Sequence, residues 1–251
     1  MPNTVRDVHA NNANVQVGDR ISIYQTDRCL ADLRTTDPRI DKKRIEDTKG
    51  GLLYGAYSWI LTNDEFLKWR DGESRLLWIK GDPGKGKTML LCGIIDELYP
   101  MTKLNDKDTP ALLSYFFCQA TDALINNATS VLCGLIFLMV KQQPALISHI
   151  REKYDEAGGK LFEGPNAWWT PAEIFENILQ DPHLSPSYLI VDALDECIDY
   201  LQLVKLIIKR SSISRVKWIV SSRNWPDIEE SLDDTEFKLT FLLNLMQCQS
   251  L

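Results

Sequence analysis

The stretch Gly81-Asp82-Pro83-Gly84-Lys85-Gly86-Lys87-Thr88 constrains the fold more than any other part of the 251-residue chain. It follows the apolar run "RLLWIK" (75–80) and precedes "MLLCGIIDEL" (89–98), so a glycine-rich turn joins a strand-like segment to a helix-like one. The spacing is G-x-x-x-x-G-K-[ST], which roughly 1% of chains of this length would carry by chance. The flanking strand and helix make chance rarer still, so an anion cradle accounts for the stretch better than a turn that merely caps a helix. Glycines permit a tight turn that presents successive amides. A helix starting near Lys87 adds the positive end of its dipole. Lys87 is expected on the terminal phosphates of a nucleotide, and the Thr88 hydroxyl on Mg²⁺.

A phosphate cradle needs an acid on a neighbouring strand to hold the metal. "YLIVDALDE" (188–196) supplies Asp192 after four apolar residues, at the carboxyl end of a strand, where α/β sheets place their ligands. Asp192 is expected to bind Mg²⁺ through water. Asp195 and Glu196 follow, and a carboxylate there polarises an attacking water. Glu196 is the first candidate for that base and Asp195 the second; both also suit the start of the next helix. "WIVSSR" (218–223) ends in Arg223, just past another strand, where a guanidinium contacts the terminal phosphate. Taken alone Arg223 would read as a surface residue; the two upstream motifs favour the sensor role.

The rest of the chain alternates. Apolar spacing predicts a helix with Leu53, Tyr57, Ile60 and Leu61 on one face, then a short helix capped around Thr62-Asn63-Asp64. Strands are expected at 75–80, 111–118, 187–196, 215–223 and 237–243. Helices are expected at 87–98, 128–141, 145–157 and 198–210, with one more started by Thr170 as cap, Pro171 and Glu173. Near-continuous apolar strands between helices indicate an α/β fold, a five-stranded mainly parallel sheet sandwiched by helices. Residues 1–50 read as a polar leader, partly disordered and with little core of its own, and 51–251 as the folded domain. Lys42, Lys43 and Arg44 read as a solvated face, and Trp168 and Trp169 as packed against the domain.

A net charge of −7 argues against a nucleic-acid partner. The longest apolar run, "SVLCGLIFLMV" (130–140), is well short of the roughly 20 residues that span a bilayer, so it reads as a buried helix. The six cysteines, at 29, 92, 118, 133, 197 and 248, form no CxxC pair. Buried free thiols in a reducing compartment, and hence a cytoplasmic protein, are the expectation.

Together, "GDPGKGKT", "LIVDALDE" and "WIVSSRNWPDIEE" resemble the nucleotide-binding module of NACHT-type STAND ATPases, in particular fungal NOD-like receptors and the nephrocystin-like N-terminal module. "CLADLRTTDPRIDKKRIEDTKGGLL" is similar to the segment leading into that module. The resemblance runs over about residues 29–240. It implies a P-loop NTPase fold with the Arg223 strand between the cradle strand and the acid strand. It also implies Mg²⁺ with ATP or GTP as ligand, slow hydrolysis, and a signalling switch that assembles with further copies or with full-length NACHT receptors. An alternative is a binding or decoy partner without effective hydrolysis. Against that family the chain reads as C-terminally truncated. "ANVQVGDRISIY" (13–24) is similar to the amyloid signalling motifs that precede some such modules, with a disordered or locally paired linker as the simpler reading.

Overall fold

In a computed structural model the described residues are 28–164, 167–213, 215–233 and 238–243. Segment 13–24 lies outside them. Five strands form one sheet: β1 (Leu76–Lys80), β2 (Leu112–Phe117), β3 (Ser187–Asp192), β4 (Val216–Ser222) and β5 (Lys238–Leu242). Their order is β2-β3-β4-β1-β5 and every pairing is parallel. The apolar runs dictate this: every residue of β2 is buried, as is nearly all of β1, β3 and β4, because helices cover both faces. β4 therefore lies between the cradle strand and the acid strand, as the resemblance implied.

The larger helices are α1 (Pro38–Thr48), α2 (Asp64–Asp71), α3 (Lys87–Leu98), α4 (Ala128–Gln142), α5 (Ser148–Ala157), α6 (Trp169–Gln180), α7 (Tyr200–Ser211) and α8 (Pro226–Asp233). The long apolar run is the buried α4, started by Asn127, whose side chain accepts from Ser130 N. Asn63 caps α2 in the same way, through the amides of Glu65 and Phe66. α4 also closes the sheet edge. The buried Gln142 amide accepts from Leu113 N at 2.9 Å and donates to Leu113 O at 2.7 Å, pairing backbone groups that a further strand would otherwise take.

Five expectations change. Residues 28–50 are no bare leader: Cys29, Leu30, Leu33 and Ile45 belong to the same core as the sheet. Lys42 is not on a solvated face; it is buried between Glu46 and Asp96, at 2.5 and 2.7 Å. Leu53 stands 70% exposed, because only one helical turn, Tyr54–Tyr57, forms before a 3-10 stretch brings Ile60 inward. Thr170 does not cap α6, which begins one residue earlier; Ala172 N, a group such a cap would serve, is already bonded to Trp168 O. Of the two tryptophans, Trp168 packs on the core and Trp169 is 68% exposed. All five described cysteines are free and buried. No helix among the described residues is long and apolar enough to cross a membrane.

Candidate functional site

The chain leaves β1 at Lys80 and turns through the cradle into α3. Gly84 and Gly86 take φ of +75° and +82°, which side-chain-bearing residues rarely adopt, and a Cβ on either would meet nothing. Glycine is needed there for backbone conformation rather than for room. Gly81 has the opposite reason: its Cβ would lie 3.0 Å from Leu243 O, at the end of β5. Pro83 to Thr88 then line a cleft of about 360 Å³ together with Asp192, Ala193, Asp195, Glu196, Arg223 and Lys49. Gly81 and Asp82 take part through their carbonyls, which accept from Lys87 Nζ at 2.5 and 3.0 Å. Burial lowers the Lys87 pKa, against the pull of Asp195 and Asp192.

Asp192 ends β3 and is 2% exposed. Burial raises its carboxyl pKa, while hydrogen bonds from Ser221 and Thr88 work in the opposite direction. Ser221 Oγ donates to Asp192 Oδ1 and accepts from Ala193 N at 2.9 Å, so one hydroxyl ties the acid to the turn that follows it. Ala193 sits at φ +52°, a left-handed conformation that a small residue tolerates best. That turn ends the strand four residues earlier than the sequence implies and starts a 3-10 turn, Leu194–Glu196.

Two adjacent acids then take separate paths. Asp195 is buried and holds Arg223: its Oδ1 accepts from Arg223 N at 2.8 Å and its Oδ2 pairs with Arg223 Nε. This contact raises the Arg223 pKa, and the guanidinium also stacks 5.1 Å over the Trp225 ring. Glu196 is half-buried and accepts from Ala120 N at 3.0 Å, in the loop after β2. A second compartment of about 290 Å³ adjoins the first; both are bordered by Lys49, Thr88, Asp192, Ala193 and Glu196.

The arrangement fits Mg²⁺ with a phosphate chain. Thr88 and the buried Asp192 line the same cleft, and the Thr88 hydroxyl is near enough to pull the Asp192 pKa down, so two hard oxygen ligands adjoin there. No group of three or more His, Cys, Asp or Glu placed to hold a metal ion by itself exists among the described residues. A site where phosphate and water complete the coordination needs none. Sequence reasoning did not single out Ser221 or Lys49. Ser221 was visible only as a residue before Arg223, and Lys49 only within the segment that leads into the module.

Cradle, sheet order and strand-end acid define an α/β protein of the P-loop NTPase fold. The chain belongs to the family described as Nephrocystin 3, N-terminal, which it matches over residues 55–223, and this bears out the NACHT- and nephrocystin-like resemblance. It is 62% identical over 229 residues to vegetative incompatibility protein HET-E-1 of Podospora anserina. That match takes in 90% of this chain but 16% of the relative, so the chain spans about a sixth of its length. The DnaC helicase loader aligns with 14% identity and a TM-score of 0.34, over 74% of this chain and 85% of that one. PCH-2 of C. elegans aligns with 14% identity and a TM-score of 0.35, over 81% and 42%. Likeness at that level adds nothing to the topology read directly from the sheet.

Proposed function

We propose that the chain binds a nucleoside triphosphate, ATP or GTP, with Mg²⁺, hydrolyses it slowly, and serves as the switch module of a NACHT-type signalling receptor. The observation that carries this is the convergence of Thr88, Asp192 and an Asp195-held Arg223 on one glycine cradle. In that reading the cradle amides and Lys87 bind the phosphates, with Gly81 to Gly86 shaping the turn. Thr88 and Asp192 hold the metal, which when bound neutralises phosphate charge. Glu196 orients the water, Asp195 positions Arg223, and Arg223 contacts the terminal phosphate. Work in the cytoplasm beside further copies, or within longer receptors, belongs to the same proposal. The relative's name, a vegetative incompatibility protein, points to a response of that kind.

A second reading, binding without effective turnover, draws on Glu196 already accepting from Ala120 N. The first test is thermal unfolding with ATP, ADP, GTP and GDP, with and without Mg²⁺, beside Lys87→Ala. Nucleotide at 100 times Kd should add about 2.7 kcal/mol, and the gain should require Lys87. No shift with any nucleotide would defeat the proposal.

A further inference from the structure

One wall of the cleft comes from outside the three motifs. α1 ends at Thr48, and Lys49 follows with its amide bonded to Ile45 O at 3.0 Å and Glu46 O at 3.1 Å. Gly50 and Gly51 continue at φ of +87° and +94°, and Gly51 N bonds Glu46 O at 2.8 Å. This is a glycine helix stop, which satisfies the last carbonyls and turns the chain away just after the lysine. Lys49 is left bordering both compartments, with Thr88, Asp192 and Glu196.

The neighbouring cations are engaged. Lys87 donates to two carbonyls, Arg223 pairs with Asp195, and Arg44 bonds Asp41 and Gln119 at 3.2 and 3.1 Å. Lys49 borders the cleft with Asp192 and Glu196, yet it forms an ion pair with no described residue. Its helix is fixed in place from below. Lys42, one α1 turn back from Glu46, reaches Asp96 of α3, the helix that the cradle opens. A nucleoside triphosphate stays anionic even with one Mg²⁺ bound, and the carbonyl end of α1 would repel it. A lysine at that end reverses the local sign.

We infer that Lys49 is a phosphate-binding residue supplied by α1, contacting the terminal phosphate on the side where Thr88 and Asp192 meet. The region N-terminal to the cradle thereby reads whether that phosphate is present. This rests on the nucleotide reading above. The competing account is a solvated lysine ending a helix, and it makes a different prediction.

The test is equilibrium binding by the full chain of non-hydrolysable ATP and GTP analogues, and of ADP and GDP, all with Mg²⁺. Lys49→Ala should weaken the preferred triphosphate about tenfold, the loss of one charge-assisted hydrogen bond, and change the matching diphosphate less than about twofold. Lys49→Arg should restore most of the loss, and Lys87→Ala should weaken both ligands. Because Lys49 is exposed, its variants should melt like the parent chain without nucleotide. Unchanged triphosphate binding, or equal loss on both ligands, would overturn the role of Lys49 while leaving the nucleotide site standing. Absence of binding by the unaltered chain would instead remove the underlying reading, and this one with it.

Discussion

Asp195 and Glu196 are neighbours in sequence, yet their surroundings commit them to different work. Asp195 is enclosed and engages Arg223 through both oxygens, a contact that fixes the guanidinium. Glu196 gives one oxygen to Ala120 N and borders both compartments. Glu196→Gln is therefore expected to abolish turnover while nucleotide affinity and melting temperature hold, since a glutamine oxygen still accepts from Ala120 N. Phosphate release and equilibrium binding on the same preparation check it; unchanged turnover would rule Glu196 out as the base. That Lys87, Thr88 and Asp192 would share one cleft was readable from the spacing within the motifs. Ser221 was not, because its role arises only when β3 and β4 pair with Val191 opposite Val220, bringing it beside Asp192. Lys49 was hidden for a similar reason: the helix stop is local, but its place beside the cleft comes from how α1 packs, with Pro38 and Ile45 buried and Lys42 on Asp96.

Elements were legible where burial is two-sided; caps were legible at Asn63 and not at Thr170. The strands announced themselves as apolar runs, and Asn63 and the α4 run behaved as their patterns required. Contacts between elements were not legible, since nothing in "VKQQP" says that Gln142 will close a sheet edge. The α6–α7 contact is another such case. Glu176 of α6 accepts from Lys209 Nζ at 2.9 Å and Arg210 Nε at 3.1 Å, both on α7. The Arg210 bond leads in holding the Glu176 carboxyl below its ordinary value of 4.5. A carboxylate depressed in the folded state contributes stability above its unfolded pKa and loses it as pH falls through the folded value. For a partly exposed network that contribution is about 0.5–1 kcal/mol. Denaturant melts of the parent chain and Glu176→Gln should differ by that much at neutral pH and converge below the carboxylate range. A gap that persists in acid would mean the contact acts through packing rather than charge.

At the scale of the molecule, the sheet order places the strands that end at the cradle, Asp192 and Arg223 side by side, and that much followed from the motifs and the family they resemble. The N-terminal region did not follow, because its polar composition concealed four well-spaced apolar residues. Cys29, Leu30, Leu33 and Ile45 are at most 6% exposed and share one core with the sheet, although the family match begins only at residue 55. Burying each of the three aliphatic side chains is worth roughly 1.5–3 kcal/mol, so Leu30, Leu33 and Ile45 contribute on the order of 4.5–9 kcal/mol as an upper bound. Whole domains are stable by only about 5–15 kcal/mol. A chain beginning at Gly51 is therefore expected to lose its cooperative unfolding transition, whereas one beginning at Arg28 keeps it. Calorimetry of the two settles the point. If the shorter chain melts sharply and within a few degrees of the longer, residues 28–50 are an accessory to the domain. If it does not, α1 is part of the fold, and the cation it carries to the cleft is held there by the same packing that makes the domain stable.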